Sequence, residues 1–245
     1  MKKQIFNLLK SILTIIFIYI ILSIISGFIG EEIFHLGLSD ANNFRLIIVA
    51  LSLMVYLYVS GSKNILGKGQ AKFGMISILL IMSLTLILNH DFTSFSYHNS
   101  YLYDAITTGL FEETMYRIVP FHLLDSFFKP SIKLDYWKIY LTTTIFALAH
   151  FYNIISINQS VTQTVIQVIY AFCLGSVFAI SYLKTHNVIF PIVAYSISDL
   201  FSSMFSNTGF STQVSTDLLG WILIITLIVV TFVINRTVLV SKNRL

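Results

Sequence analysis

Eight apolar blocks separated by short polar connections dominate this sequence, and they limit what it can fold into. They cover about residues 5–29, 44–59, 73–88, 101–124, 136–151, 161–183, 188–204 and 218–234. At 1.5 Å of rise per residue, blocks of this length match or approach the thickness of a bilayer's hydrocarbon core, and tilt or extension accommodates the rest. Lipid offers no partner to a backbone N–H or C=O, so a spanning segment is either a helix or part of a closed barrel. The blocks are far too long for the alternating ten-residue strands of a barrel. A large soluble core is excluded by the lack of polar faces between blocks. Hydrophobic residues make up 56% and charged residues 11% of the 245, about half the charge of a soluble domain, and the mean hydropathy is +0.82. The expectation is an all-α, polytopic membrane protein with about eight transmembrane helices. Residues 1–245 form one helical membrane domain.

Charge placement orients such a chain. Lys2, Lys3 and Lys10 lie before or at the start of the first block, and Lys63, Lys68 and Lys72 lie between the second and third. Lys129, Lys133 and Lys138 follow the fourth, Lys184 follows the sixth, and Arg236, Lys242 and Arg244 close the chain. An eight-helix path puts all of these on one side, leaving only Arg45 opposite and Arg117 within a block. The positive-inside rule then sets both termini in the cytoplasm. Glu31, Glu32, Asp40, Asp91 and Asp217 fall outside. The first block has the length of a retained anchor rather than a cleaved signal peptide. Loop lysines near anionic lipid account for the net charge of +4, so no nucleic-acid partner is implied. The single Cys173 excludes a disulfide within the chain. An abundance of Ile, Asn and Lys suits a bacterial plasma membrane.

One block breaks the apolar pattern. Between residues 101 and 124 it carries Glu112-Glu113-Thr114-Met115-Tyr116-Arg117. Three ionisable groups at roughly 3 kcal/mol each cost ~9 kcal/mol near the bilayer centre unless they find partners. Glu113 and Arg117 are four apart, so an intrahelical ion pair is expected. Glu112 shares a face with Tyr116 and is left for a cavity or a neighbouring helix. Three later residues are candidate partners. His150 ends the fifth block, four residues after Phe146. Tyr195 and Asp199, again four apart, share a face of the seventh. A glutamate and a histidine within hydrogen-bond reach of one water can deprotonate it. Glu112, His150 and Asp199 also make a possible zinc set, although the His-Glu-x-x-His pattern is absent. A purely structural polar network is the bland alternative. Gln163 and Gln167 on the sixth block read as interhelical packing, Glu31 and Glu32 as an exposed helix end, and Trp137 and Trp221 as interfacial anchors. Nothing assigns His35, His90, His98, His122 or His186 to chemistry.

Taken together, these residues resemble the CAAX-processing and bacteriocin-processing (CPBP) family of intramembrane endopeptidases. The family's first motif, two glutamates, three residues and an arginine, is matched by Glu112, Glu113 and Arg117. Its second, Phe, three residues and His, is matched by Phe146 and His150. The third, a histidine followed four residues later by asparagine or a related residue, falls on Tyr195 and Asp199 after Pro191. The resemblance covers a catalytic-like core of about 101–204.

What the resemblance implies is hydrolysis of a peptide or membrane-protein substrate by glutamate- and histidine-activated water. No cofactor is expected, with zinc as the alternative. Glu112 and His150 would activate the water, Glu113 and Arg117 would set the local geometry, and Tyr195 would donate to the oxyanion. Asp199 departs from the pattern, since an ionised carboxylate cannot donate. That departure keeps open a weakened family member acting as a membrane scaffold or bacteriocin-immunity protein. A transporter is a third class, but no inverted repeat supports it. The charge-derived topology puts the polar cavity between mid-membrane and the outer face, reached through residues 153–160 or 89–100.

Overall fold

The structure, a computed structural model, describes residues 2–59, 66–67, 69–88, 95–205 and 218–241. The basic residues Lys63, Lys68, Lys242 and Arg244, the acids Asp91 and Asp217, His90, and part of the 89–100 connection lie outside them. Every apolar block falls in a helix. Helix α1 (Lys2–Phe28) continues through a π turn (Ile29–Ile33), and α2 covers Leu38–Val59. Next come α3 (Ala71–Leu88) and α4 (Asn99–Glu113), the latter running through a second π turn (Thr114–Ile118) into α5 (Val119–Phe127). Helix α6 (Ile132–Ala149) leads by a 3₁₀ turn (His150–Tyr152) into the short α7 (Asn153–Ser156). The chain ends in α8 (Val161–Thr185), α9 (Ile189–Met204) and α10 (Leu218–Ser241).

This is an all-α protein with multiple long apolar helices, as a multi-pass membrane protein requires. Fewer helices than the expected eight qualify as spans by their own length and apolarity. Among the described residues four helical stretches are both long and apolar enough to cross a membrane: Ile5–Ile33, Leu38–Val59, Ile132–Ser156 and Val161–Thr185. Three other apolar helices, Ala71–Ile87, Ile189–Met204 and Ile224–Arg236, are shorter. The continuous 99–127 helix is long enough, but it carries Asp104, Glu112, Glu113, Arg117 and Asp125.

Helix α8 is the hub. It packs on α6, α3, α9 and α10, and α4 packs most extensively on α9. Of the apolar window in α8, 72% is buried inside the protein, against 11% in α1, which shows most of its surface to the surroundings. Core residues from α2, the second π turn, α6 and α8, such as Leu53, Ile118, Ile139 and Ile180, are wholly or almost wholly buried. Helix α8 ends on His186 in the left-handed conformation (φ 50°), a regular helix stop. The chain between α2 and α3 is laced to that stop: Gly67 N–H donates to the His186 carbonyl (2.7 Å) and Gly69 N–H to that of Thr185 (3.0 Å). A Cβ on Gly69 would come within 2.3 Å of the Thr185 oxygen, so the approach needs glycine. At the other end, Ser96 N–H donates to the Met204 carbonyl (2.8 Å), tying the lead-in of α4 to the end of α9.

Candidate active site

The polar motif of α4 sits where the helix changes pitch. After Glu113 the backbone widens, and Val119 N–H reaches back five residues to the Thr114 carbonyl. Such π turns are rare and recur at functional positions. The geometry explains one consequence. In a regular α-helix residues five apart diverge by about 140°; closing hydrogen bonds at i→i+5 brings them towards one face. Arg117 is thereby within electrostatic reach of Glu112 as well as Glu113. The four-residue spacing pairs Arg117 with Glu113, and Glu112 feels the same charge.

Arg117 and Glu113 are both fully buried, with Nη1 3.6 Å from Oε1. That is an ion pair rather than a hydrogen bond, and the Arg117 nitrogens and Glu113 oxygens have no hydrogen-bond partner among the described residues. The guanidinium is held instead by ring faces. It lies 4.2 Å from the Phe146 centroid and 5.8 Å from that of Phe178, a stacking that a planar, weakly hydrated cation favours. Space for it comes from α8. A Cβ on Gly175 would stand 2.5 Å from Arg117 Nη2 and 3.0 Å from the Phe146 ring. A second close approach, at Gly109, seats α4 on α9: there a Cβ would meet Ser196 Oγ at 2.4 Å.

Phe146 links this pair to the second cluster. Its ring meets Tyr116 (5.3 Å between centroids), His150 (4.9 Å) and Tyr195 (6.1 Å), all edge-on. His150 Nδ1 lies 3.0 Å from the Phe146 carbonyl. A carbonyl only accepts, so Nδ1 carries a proton, and a neutral ring then has its lone pair on Nε2. The ring borders a small cavity of about 40 Å³, shared with Gln167, Tyr170, Tyr195, Ser198, Asp199 and Ser202. That volume has room for a water molecule or two. It lies in the half of the bundle away from Lys133 and Lys184, because α6 and α9 both reach it near their C-terminal ends.

Four of the six predicted positions therefore group as two pairs: Glu113 with Arg117, and His150 with Asp199 on the cavity wall. Tyr195 bridges them, lining the cavity and lying within electrostatic reach of Glu112, Glu113 and Asp199. Glu112 is half-buried beside the cavity, within reach of Asp199, but does not line it. Among the described residues no group of three or more His, Cys, Asp or Glu side chains is arranged to hold a metal ion. The segment that carries this whole arrangement has a counterpart. Residues 95–201 match a family model described as type II CAAX prenyl endopeptidase Rce1-like. This match supports assigning the segment to the CAAX-protease-like (CPBP) family. No curated protein and no solved structure matches the chain. The family segment begins just before α4 and ends two residues after Asp199, so it contains every predicted site residue.

Sequence reasoning missed part of the cavity wall. Gln167 accepts from Asn153 Nδ2 (2.9 Å), an interhelical bond of the expected kind, but it also borders the cavity. Ser198 and Ser202 were passed over, although with Tyr195 and Asp199 they complete an i, i+3, i+4, i+7 stripe on α9. Tyr170 shares the wall and bonds Gln167. The signal for Gly175 was a glycine inside an otherwise apolar helix, a sign of close approach.

Proposed function

We propose that the protein is an intramembrane endopeptidase that hydrolyses a peptide or membrane-protein substrate without a prenyl group. The observation that carries this reading is the water-sized cavity walled by His150, Tyr195 and Asp199 beside the buried Glu113–Arg117 pair. In the proposed reaction a water held between the cavity and Glu112, which stands beside it, gives a proton to Glu112 as its oxygen attacks the scissile carbonyl carbon. His150 Nε2 accepts a hydrogen bond that orients the water, and Tyr195 donates to the carbonyl oxygen as negative charge develops there. The proton passes from Glu112 to the leaving amine as the C–N bond breaks. Arg117 balances the two glutamates throughout. The family match supports the reaction class.

The test is a peptidase assay in reconstituted membranes, offering prenylated and unprenylated peptides. Glu112→Gln should lower turnover ~10²–10⁴-fold, the usual contribution of a general base, with unchanged thermal stability. Undiminished cleavage by Glu112→Gln would remove Glu112 from the mechanism. Cleavage confined to prenylated peptides would overturn the substrate assignment.

One feature favours a second reading, a noncatalytic scaffold or bacteriocin-immunity protein. Asp199 stands on the cavity wall where an oxyanion needs donors, and a carboxylate there donates only when protonated. Equal complementation of a deletion strain by wild type and Glu112→Gln, at equal abundance, would select this reading.

We further propose eight crossings of a bacterial plasma membrane with both termini in the cytoplasm. The shorter and the charge-bearing helices would cross inside the bundle, shielded by neighbours rather than by their own apolarity. On that topology the cavity opens outward. In a Cys173→Ser background, cysteines at Ser198 and Ser202 should react with an impermeant thiol reagent added to intact cells. Reaction only from the cytoplasmic face of inverted vesicles would reverse the orientation.

A further inference from the structure

At the opposite end of the bundle, two apolar grooves flank the start of α6. One, of about 560 Å³, lies between α1, α5 and α6 and is walled by Leu8, Leu124, Leu134 and Leu141. Its neighbour, about 520 Å³, is walled by Ile132, Tyr136 and Tyr140, the two tyrosines stacking at 6.0 Å. Both volumes fall within the usual range for small-molecule sites. Lys133 and Trp137 belong to both grooves and form the ridge between them. Lys129 also lines the first. The acids nearby are committed elsewhere: Asp125 and Asp135 both pair with Lys138. Among the described residues neither Lys129 nor Lys133 belongs to an ion pair.

We propose that this ridge binds one anionic diacyl phospholipid. Its phosphate rests against Lys129 and Lys133, and its two acyl chains straddle Trp137, one in each groove. The chemistry selects this occupant over others. Twin greasy channels meeting beneath unpaired ammonium groups match two chains joined at an anionic head. A basic pocket at a helix-bundle edge is the form such recognition takes, and an exposed Trp137 fits the headgroup level. A polar ligand would leave the grooves unfilled, and a zwitterionic lipid would bring a second cation towards the lysines.

Trp137 reports on its own site. With Trp221→Phe it is the only tryptophan in the chain, and acyl chains brominated near the carbonyl quench it at contact range. The full-length protein in vesicles of phosphatidylcholine is titrated with brominated phosphatidylglycerol or brominated phosphatidylcholine. Quenching by the anionic lipid should be half complete at a mole fraction at least ~10-fold lower. Lys129→Gln and Lys133→Gln should each reduce that preference about 5-fold. Lys129→Arg/Lys133→Arg should keep it, and so should Lys72→Gln, a lysine outside the grooves. Equal quenching by the two lipids, or a preference that survives the double glutamine variant, would show only unselective lipid contact and overturn the site.

Discussion

Two buried cations show how differently one chain can accommodate the same cost. Arg117 lies at the heart of the bundle, paired with an equally buried Glu113 and pressed against the Phe146 ring. Lys138 lies near the end of the bundle that carries the loop lysines. It pairs with Asp125, whose side chain is 49% exposed, and more distantly with the buried Asp135 at 3.9 Å. Lys138 also has an aromatic neighbour, Phe121 at 5.7 Å. The two clusters share a recipe of cation, acid and ring, and differ in whether the acid can reach water. Where the acid is wet, removing the cation strands little. Where it is dry, each member depends on the others. A dry pair adds little stability over an apolar substitute, so its presence in the core calls for another reason, and the adjoining polar cavity supplies one.

The largest expected effect breaks the dry pair. Arg117→Met leaves Glu113 with no compensation, and should cost roughly 3–5 kcal/mol in unfolding measured in detergent micelles. Glu113→Leu/Arg117→Met, which removes both charges, should recover most of that loss while remaining inactive. If the double variant is as unstable as the single one, the pair is structural in a way its dry geometry does not require.

These two variants also mark where sequence was enough. The four-residue spacing of Glu113 and Arg117 foretold their pairing, and the i, i+4 spacing of Phe146 with His150 and of Tyr195 with Asp199 foretold shared faces, because helical periodicity is local. Helix positions were legible for the same reason. The π turn was not, since a widened turn is set by what packs against it rather than by residue preference. The number of helices long and apolar enough to span alone was not legible, because apolar blocks such as 188–204 read alike whether they face lipid or protein. Gln167 read as packing because its partner, Asn153, lies across a turn and in another helix.

A smaller effect tests how tightly the dry cluster is built. Gly175→Ala leaves every charge in place but puts a methyl group 2.5 Å from Arg117 Nη2 and 3.0 Å from Phe146. The guanidinium end is flexible in principle, yet here it is enclosed by two rings and must shift with them. Overpacking of this kind costs about 1–3 kcal/mol, so thermal stability should fall by less than in Arg117→Met. Because Phe146 carries His150 on its carbonyl, the proposed peptidase turnover should fall with it. Wild-type stability and turnover would mean that the core yields more readily than its burial implies.

The smallest effect belongs to the wet pair. Lys138→Met keeps much of the aliphatic stem that covers Phe121, and it frees Asp125 to hydrate fully. Asp135 is the one acid left buried, but it occupies the first turn of α6, where the helix dipole favours a negative charge. Partly exposed pairs contribute ~0–1 kcal/mol, and the loss should lie in that range. Salt separates the two clusters further. Between about 0.05 and 0.5 M the Debye length shrinks to a few ångströms, so the small penalty of Lys138→Met should fade as Asp125 is screened. The penalty of Arg117→Met should persist, since ions do not enter its surroundings. A salt-insensitive loss at Lys138 as large as the loss at Arg117 would erase the distinction between a wet and a dry pair, and with it the argument that the dry one is kept for the cavity beside it.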